Sequence, residues 1–358
     1  MSLHFHRLTV KEVKKETPEC ISVLFEVPET LRADFQFSQG QSLTLRTRIN
    51  GGEVRRTYSI CSSPLEKQLK IAIKKVAGGL FSAWANEQLK KGDVLEVMQP
   101  AGKFNTPLDP SHKKNYLAFA AGSGITPVIS LVKTTLATEP QSHFTLVFGN
   151  RERNSIIFFE ELESLKNKYM ERFNLVHLLS RERMETELNS GRITAAKLEE
   201  LGPLAGYADT DEFFICGPEE MIFTVKNYLE LKGMEKKKIH FELFNTQGKQ
   251  KSAVHSPQST ATGPVSYISI KLDGRSFELV HPLQSDITIL DAALQQGADL
   301  PFACKGGMCC TCKARLLEGE VSMDVHWGLE DEEVEKGYIL TCQSHPRTER
   351  IVVDFDAK

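Results

Sequence analysis

Four cysteines constrain this chain more than any other feature. Cys304, Cys309 and Cys312 fall within nine residues, and 29 residues separate Cys312 from Cys342. Cys-x4-Cys-x2-Cys with a distant fourth cysteine is the ligand spacing of a [2Fe-2S] cluster. Two irons bridged by two sulfides need four terminal thiolates, and a tight loop can bring three of them to one pole while a distant strand end brings the fourth. Gly306 and Gly307 lie inside the loop, where missing side chains let backbone N–H groups approach cluster sulfurs. Zinc is the other reading of close thiols, but zinc knuckles usually pair two short Cys-x2-Cys units, and Cys342 has no cysteine near it in sequence. Cys310 is a fifth thiol in the loop, surplus to the spacing, and reads as a packed or weakly exposed side chain.

The remaining composition sets the scale. At about 150 residues per domain, 358 residues make two or three domains. No apolar run approaches the roughly 20 residues of a membrane span, and no long apolar segment follows Arg7 as a secretory signal requires. The expectation is a cytoplasmic protein with no membrane partner, in a reducing compartment where thiols stay free of disulfides. A net charge of -3 gives no reason to expect nucleic acid. That total conceals a division: residues 266–358 carry nine Lys or Arg against sixteen Asp or Glu, and residues 1–265 carry thirty-five against thirty-one. An acidic module joined to a mildly basic body favours transient docking that weakens with salt.

Hydropathy patterning divides the chain further. Residues 1–105 show short β-branched or alternating runs at 7–13, 20–27, 42–49, 57–61, 70–76 and 93–99, separated by turns such as Asn50-Gly51-Gly52, and this spacing predicts an all-β barrel. Residues 106–245 change to apolar runs at 116–121, 144–148, 175–179 and 212–216, alternating with helical segments at 127–136, 159–170 and 218–232, the pattern of an α/β domain with a parallel sheet. Residues 246–265 are rich in Gln, Ser, Thr, Lys, Gly and Pro and read as a linker. Residues 266–358 mix strands at 267–272 and 350–355 with a helix near 289–296, a small α+β module.

Three further motifs carry chemistry. Arg56-Thr57-Tyr58-Ser59 offers a cation for a diphosphate, a ring for contact and a hydroxyl, and Gly78-Gly79-Leu80-Phe81-Ser82 opens a helix whose free N–H groups can hold phosphate oxygens. The run at 116–121 leads into Gly122-Ser123-Gly124-Ile125-Thr126-Pro127, where the glycines permit close backbone approach, Thr126 reads as the N-cap and Pro127 as the first helical residue. The run at 212–216 ends in Cys216-Gly217-Pro218-Glu219.

In this order the motifs resemble the ferredoxin-NADP reductase superfamily, and residues 266–358, with Leu300-Pro301-Phe302-Ala303 and Leu340-Thr341-Cys342-Gln343, resemble plant-type [2Fe-2S] ferredoxins of the β-grasp fold. The resemblance implies FAD at Arg56, Tyr58, Ser59, Lys75, Gly78, Gly79 and Ser82, with Phe244 of Glu242-Leu243-Phe244 near the flavin ring. It implies a pyridine nucleotide at Gly122, Gly124 and Thr126, with Cys216 beside the nicotinamide and Gly217 leaving room for it. Cys216, Ser59 and Phe244 are the implied catalytic groups. Ser180-Arg181 follows the run at 175–179, and Arg151 follows the run at 144–148. In NADPH-using relatives a Ser-Arg pair after the corresponding strand holds the 2'-phosphate, which implies NADPH as donor.

The whole chain resembles reductase components of multicomponent oxygenases, and among them those of phenylacetyl-CoA epoxidase systems. This implies electron flow from NADPH through FAD and the cluster to a di-iron oxygenase. The alternatives are a reductase for another ring hydroxylase or monooxygenase, or a redox sensor that uses the cluster without turnover.

Overall fold

The computed structural model of the protein describes residues 4–244, 264–283 and 285–357. All but the last two residues of the expected linker lie outside these. The chain divides into two compact units, one spanning Phe5–Phe244 and the other carrying the C-terminal strands.

The first half of the larger unit is the expected barrel. Six strands, β1 (Phe5–Thr17), β2 (Cys20–Glu26), β3 (Ser42–Ile49), β4 (Gly52–Ser59), β5 (Leu69–Lys74) and β6 (Val94–Met98), pair antiparallel in the order β4-β3-β6-β1-β2-β5. An Ile60–Ile71 bridge closes the ring. Asn50 and Gly51 take φ of 53° and 80°, the left-handed pair of a two-residue hairpin turn whose twist matches its strands. Leu8, Val23, Leu43, Leu45, Ile71 and Val97 fill the interior, and helix α1 (Leu80–Gln88) adds Phe81 and Ala85 to that core.

The second half is a parallel sheet ordered β11-β10-β7-β8-β9, from β7 (Asn115–Ala121), β8 (His143–Asn150), β9 (Phe173–Leu179), β10 (Glu212–Gly217) and β11 (Ile239–Leu243). Helices α2 (Ile125–Thr138), α3 (Phe159–Lys168), α4 (Ala195–Ala205) and α5 (Glu219–Leu231) connect the strands. Residues 116–120 of β7 are all buried, as expected where helices cover both faces. The sequence pattern missed α4 and β11. Pro203 lies inside α4 and reads as a helix breaker, but it falls in the last turn, where one lost N–H is tolerable. β11 is a short edge strand, and it has no full alternation to betray it.

Barrel and sheet domain share one apolar cluster, in which Cys20, Cys61 and Ala72 pack with Val128, Ile129 and Val132 of α2. Polar contacts stitch the same seam. Ser130 Oγ donates to Ser62 O at 2.7 Å, Ser63 Oγ and Thr134 Oγ1 lie 2.9 Å apart, and the buried Lys133 ammonium reaches Glu66 at 3.0 Å and Glu161 at 2.7 Å.

The C-terminal unit builds a mixed sheet in the order β13-β12-β18-β14-β16 from β12 (Val265–Leu272), β13 (Arg275–Pro282), β14 (Lys313–Glu318), β16 (Tyr338–Leu340) and β18 (Arg350–Asp354), with a separate ribbon of β15 (Val321–Met323) and β17 (Ser344–Pro346). Ser266, Ile268 and Ile270 of β12 are buried and alternate with the less buried Tyr267, Ser269 and Lys271, so one sheet face packs against helix α6 (Ile289–Gln295). Thr288 caps α6 by accepting the Asp291 N–H. A short helix, α7 (Asp331–Glu335), precedes β16.

Candidate functional site

Strand β4 carries Arg56 and Tyr58 on one face and Ser59 on the other, the alternation any strand imposes. The Tyr58 ring lies 5.5 Å from Phe81 in the first turn of α1, so the Arg-x-Tyr-Ser and Gly-Gly motifs meet. Gly79 is the N-cap of α1, and Gly78 takes a φ of 72°. Ser82 Oγ accepts the Val76 N–H at 3.1 Å and donates to Gly79 O, which braces the glycine turn from within. A Cβ on Gly79 would stand 2.5 Å from that hydroxyl. Lys75 pairs with Glu87 at 2.6 Å. Its neighbour Lys74, the last residue of β5, holds Nζ 3.4 Å from where a Cβ of Gly122 would stand. No motif marks Lys74.

β7 and β10 are neighbours whose following connections diverge to opposite sides of the sheet, the switch point at which such sheets bind ligands. Gly122-Ser123-Gly124 ends one strand and Cys216-Gly217 the other. A Cβ on Gly124 would lie 2.0 Å from Cys216 O and 2.8 Å from Gly217 N, so only glycine lets the two strand ends close. Gly217 in turn packs against Ala121 and Met221. The cap expected at Thr126 falls too late in the chain. Helix α2 begins at Ile125 with Gly124 as N-cap, and Thr126 Oγ1 donates to Ser123 O. The reason is the same close approach, which fixes the helix start at the glycine.

Cys216 is fully buried, and burial, followed by the nearby Glu242 carboxylate, pushes its thiol pKa far up. It stays protonated. Glu242 sits beside Cys216 in the β10–β11 register and accepts a hydrogen bond from Ser59 Oγ at 2.9 Å across 183 residues of sequence. Nothing in the Glu242-Leu243-Phe244 segment alone gives that carboxylate a role. Phe244, just past β11, packs on the shared cluster. Ser59, Cys216, Glu242 and Phe244 thus come from three separate stretches to the border of the two domains.

At the far ends of β8 and β9, Arg181 N donates to Arg151 O at 2.9 Å and Ser180 N to Asn150 O at 3.0 Å, which sets two exposed arginines side by side. Glu182 accepts the Arg153 N–H at 2.8 Å.

Strand pairing and loop geometry place the four cysteines expected to hold the cluster. Thr341 donates both its N–H and its hydroxyl to Cys312 O, and Lys313 pairs with Leu340, so Cys312 and Cys342 meet. In the loop, Cys304 Sγ accepts N–H groups from Gly306 at 3.3 Å and Cys309 at 3.4 Å. The Cys309 thiol, with these amides, lowers the Cys304 pKa to about 5. The Cys312 thiol likewise draws Cys342 down. The four thiols therefore stand two and two, Cys304 with Cys309 and Cys312 with Cys342, a correction to the three-and-one division expected from spacing. Among the described residues no three such groups converge on a single metal point. Two thiol pairs ringed by amide donors suit a dinuclear centre, one pair to each iron.

The chain matches the oxidoreductase FAD-binding domain over residues 7–106, the oxidoreductase NAD-binding domain over 119–227 and the 2Fe-2S iron-sulfur cluster binding domain over 271–347. It belongs to the flavin- and pyridine-nucleotide-dependent oxidoreductases that carry a 2Fe-2S domain, a family of reductase components of oxygenase systems. It is 44% identical to a component of the 1,2-phenylacetyl-CoA epoxidase of Escherichia coli (strain K12) over 99% of this chain and 98% of that one. The ferredoxin reductase component of 3-ketosteroid-9-alpha-monooxygenase from Rhodococcus rhodochrous is 36% identical over 97% of this chain and 96% of its own. Among solved structures, phthalate dioxygenase reductase covers 98% of both chains at 24% identity with a TM-score of 0.59, a likeness of fold. Among the described residues no helix is long and apolar enough to cross a membrane.

Proposed function

We propose that this chain is the NADPH-dependent, cytoplasmic reductase of a phenylacetyl-CoA epoxidase and delivers electrons to a di-iron oxygenase component. The observation that carries this reading is end-to-end identity of 44% to a protein of that system. When bound, FAD accepts a hydride as an electron pair and the cluster carries electrons singly. The chain's own residues supply position. Arg56, Tyr58, Gly78 and Gly79 hold the flavin at the start of α1, with Ser82 bracing the turn. Lys74 and the Gly122–Gly124 turn take the nucleotide diphosphate, and Cys216 and Phe244 bound the place where nicotinamide meets flavin. Ser59 and Glu242 keep a hydroxyl and a carboxylate hydrogen-bonded there. Cys304 with Cys309 and Cys312 with Cys342 are the terminal cluster ligands.

Two exposed arginines and Ser180 at the β8 and β9 ends support NADPH over NADH. Arg181→Ala should raise KM for NADPH about tenfold, the loss of one charge-assisted contact, and leave KM for NADH nearly unchanged. Equal effects on both would remove Arg181 from the 2'-phosphate. The acceptor is tested by reconstitution. With NADPH and the purified oxygenase components of the epoxidase, the chain should support epoxidation of phenylacetyl-CoA, and its reduction of that acceptor should slow as salt rises. The relative at 36% identity keeps a ketosteroid monooxygenase as second reading. Failure with the epoxidase and turnover with such a monooxygenase would decide for it.

A further inference from the structure

Cys310 is left over from the cluster ligands, and its surroundings give it work. It takes a φ of 54°, a left-handed conformation that a residue with a side chain keeps only where neighbours enforce it. Its thiol donates to the carbonyl oxygen of Gly328. Gly328 N–H donates at 2.8 Å to Gly307 O, so the turn at residues 325–328 holds the ligand loop by two bonds to one glycine. Contact is close on both sides. A Cβ on Gly328 would stand 2.5 Å from Met308 O and 2.8 Å from Cys310 Sγ, and one on Gly307 would stand 2.8 Å from the Val325 side chain. The same stretch of loop faces the ligands, for the N–H groups of Gly306 and Cys309, on either side of Gly307, donate to Cys304 Sγ at 3.3 and 3.4 Å.

We propose that Cys310 is a positioning residue for the cluster: its thiol latches the turn at residues 325–328 onto Gly307 and so holds the flanking Gly306 and Cys309 N–H groups against the Cys304 sulfur. The inference rests on Cys304, Cys309, Cys312 and Cys342 being the cluster ligands. N–H donors to ligand sulfur stabilise the more negative, reduced cluster and raise its potential. An unlatched Gly307 lowers that potential and exposes the ligand sulfurs to exchange. A thiol is a weak donor, and a hydroxyl at the same position can make the same bond.

The test uses the full chain with cofactors bound, as Cys310→Ala and Cys310→Ser. Cluster midpoint potential is read by anaerobic titration with electron paramagnetic resonance, and cluster loss to an iron chelator by visible absorbance. Cys310→Ala should lower the potential and speed cluster loss about tenfold, the scale of an outer-shell contact, whereas Cys310→Ser should stay near the parent on both readouts. An Ala variant that matches the parent, or a Ser variant that departs as far as Ala, overturns the latch. Gly328→Ala opens the turn from the other side with Cys310 intact and should reproduce the Ala phenotype. An unshifted potential in that variant also counts against the proposal. A parent chain with no [2Fe-2S] spectrum would instead bring down the ligand assignment, and the latch with it.

Discussion

The cluster loop and the flavin–nucleotide border hold their groups in opposite ways. Three of the four cysteines proposed as ligands lie within nine residues, and Cys342 is drawn in by the β14–β16 pairing next to it. The other site is collected from β4, the turn before α1, the ends of β7 and β10, and β11, and Ser59 meets Glu242 across 183 residues. A site of the first kind stands or falls on single side chains. A site of the second kind depends on how two domains are joined, which makes the seam around Lys133 part of the machinery.

That contrast can be broken at several points. Cys342→Ser should abolish the visible absorption of the cluster and leave flavin content unchanged, and a normal cluster spectrum would refute its place among the ligands. Gly124→Ala should slow reduction of the flavin by NADPH about 100-fold, because its Cβ would push the β7 and β10 ends apart and misplacements of about 1 Å carry that penalty. Stopped-flow absorbance gives the rate, and a parent-like rate would mean that the strand ends need not close.

Lys133→Ala tests the seam. It leaves Glu66 and Glu161 facing each other without their shared cation, at a cost of about 2 kcal/mol once their partial exposure is allowed for. Urea unfolding followed by flavin fluorescence should report this loss, while bleaching of the cluster keeps its midpoint. A matching shift in both would deny the two units separate stability.

The smallest effect is acid sensitivity of the seam. Burial works to raise the Glu161 carboxyl pKa, but Lys133 and Lys70 outweigh it and hold it below the ordinary value. A depressed folded pKa stabilises fully above the unfolded value near about 4.3 and is lost as pH falls through the folded one. Stability of the larger unit should therefore show no loss from this pair between pH 7 and 5 and decline below about 4. In Lys133→Ala the acid decline should soften, and an unchanged decline would separate Glu161 from it.

Legibility followed the same division between local and distant. Barrel, parallel sheet and C-terminal module were readable because each writes its own period, and the cysteine spacing named the cluster outright. What escaped depends on contacts between distant segments. Glu242 carries no motif of its own and gains its place from Ser59. Lys74 and Lys75 are equivalent on paper until Lys74, at the end of β5, reaches the Gly122 turn and Lys75, just past it, pairs with Glu87. The N-cap of α2 lies at Gly124 rather than Thr126, where Cys216, far along the chain, leaves no space for a side chain.

Through these two kinds of site, one chain should convert a hydride's electron pair into single electrons. Anaerobic titration with NADPH, followed by visible and electron paramagnetic resonance spectra, puts that conversion to trial. Two electrons for the flavin and one for the cluster predict full reduction at about 1.5 equivalents of NADPH per chain, with the signal of a reduced [2Fe-2S] centre growing alongside flavin bleaching. A flavin that bleaches while the cluster stays oxidised, at about one equivalent, would contradict it.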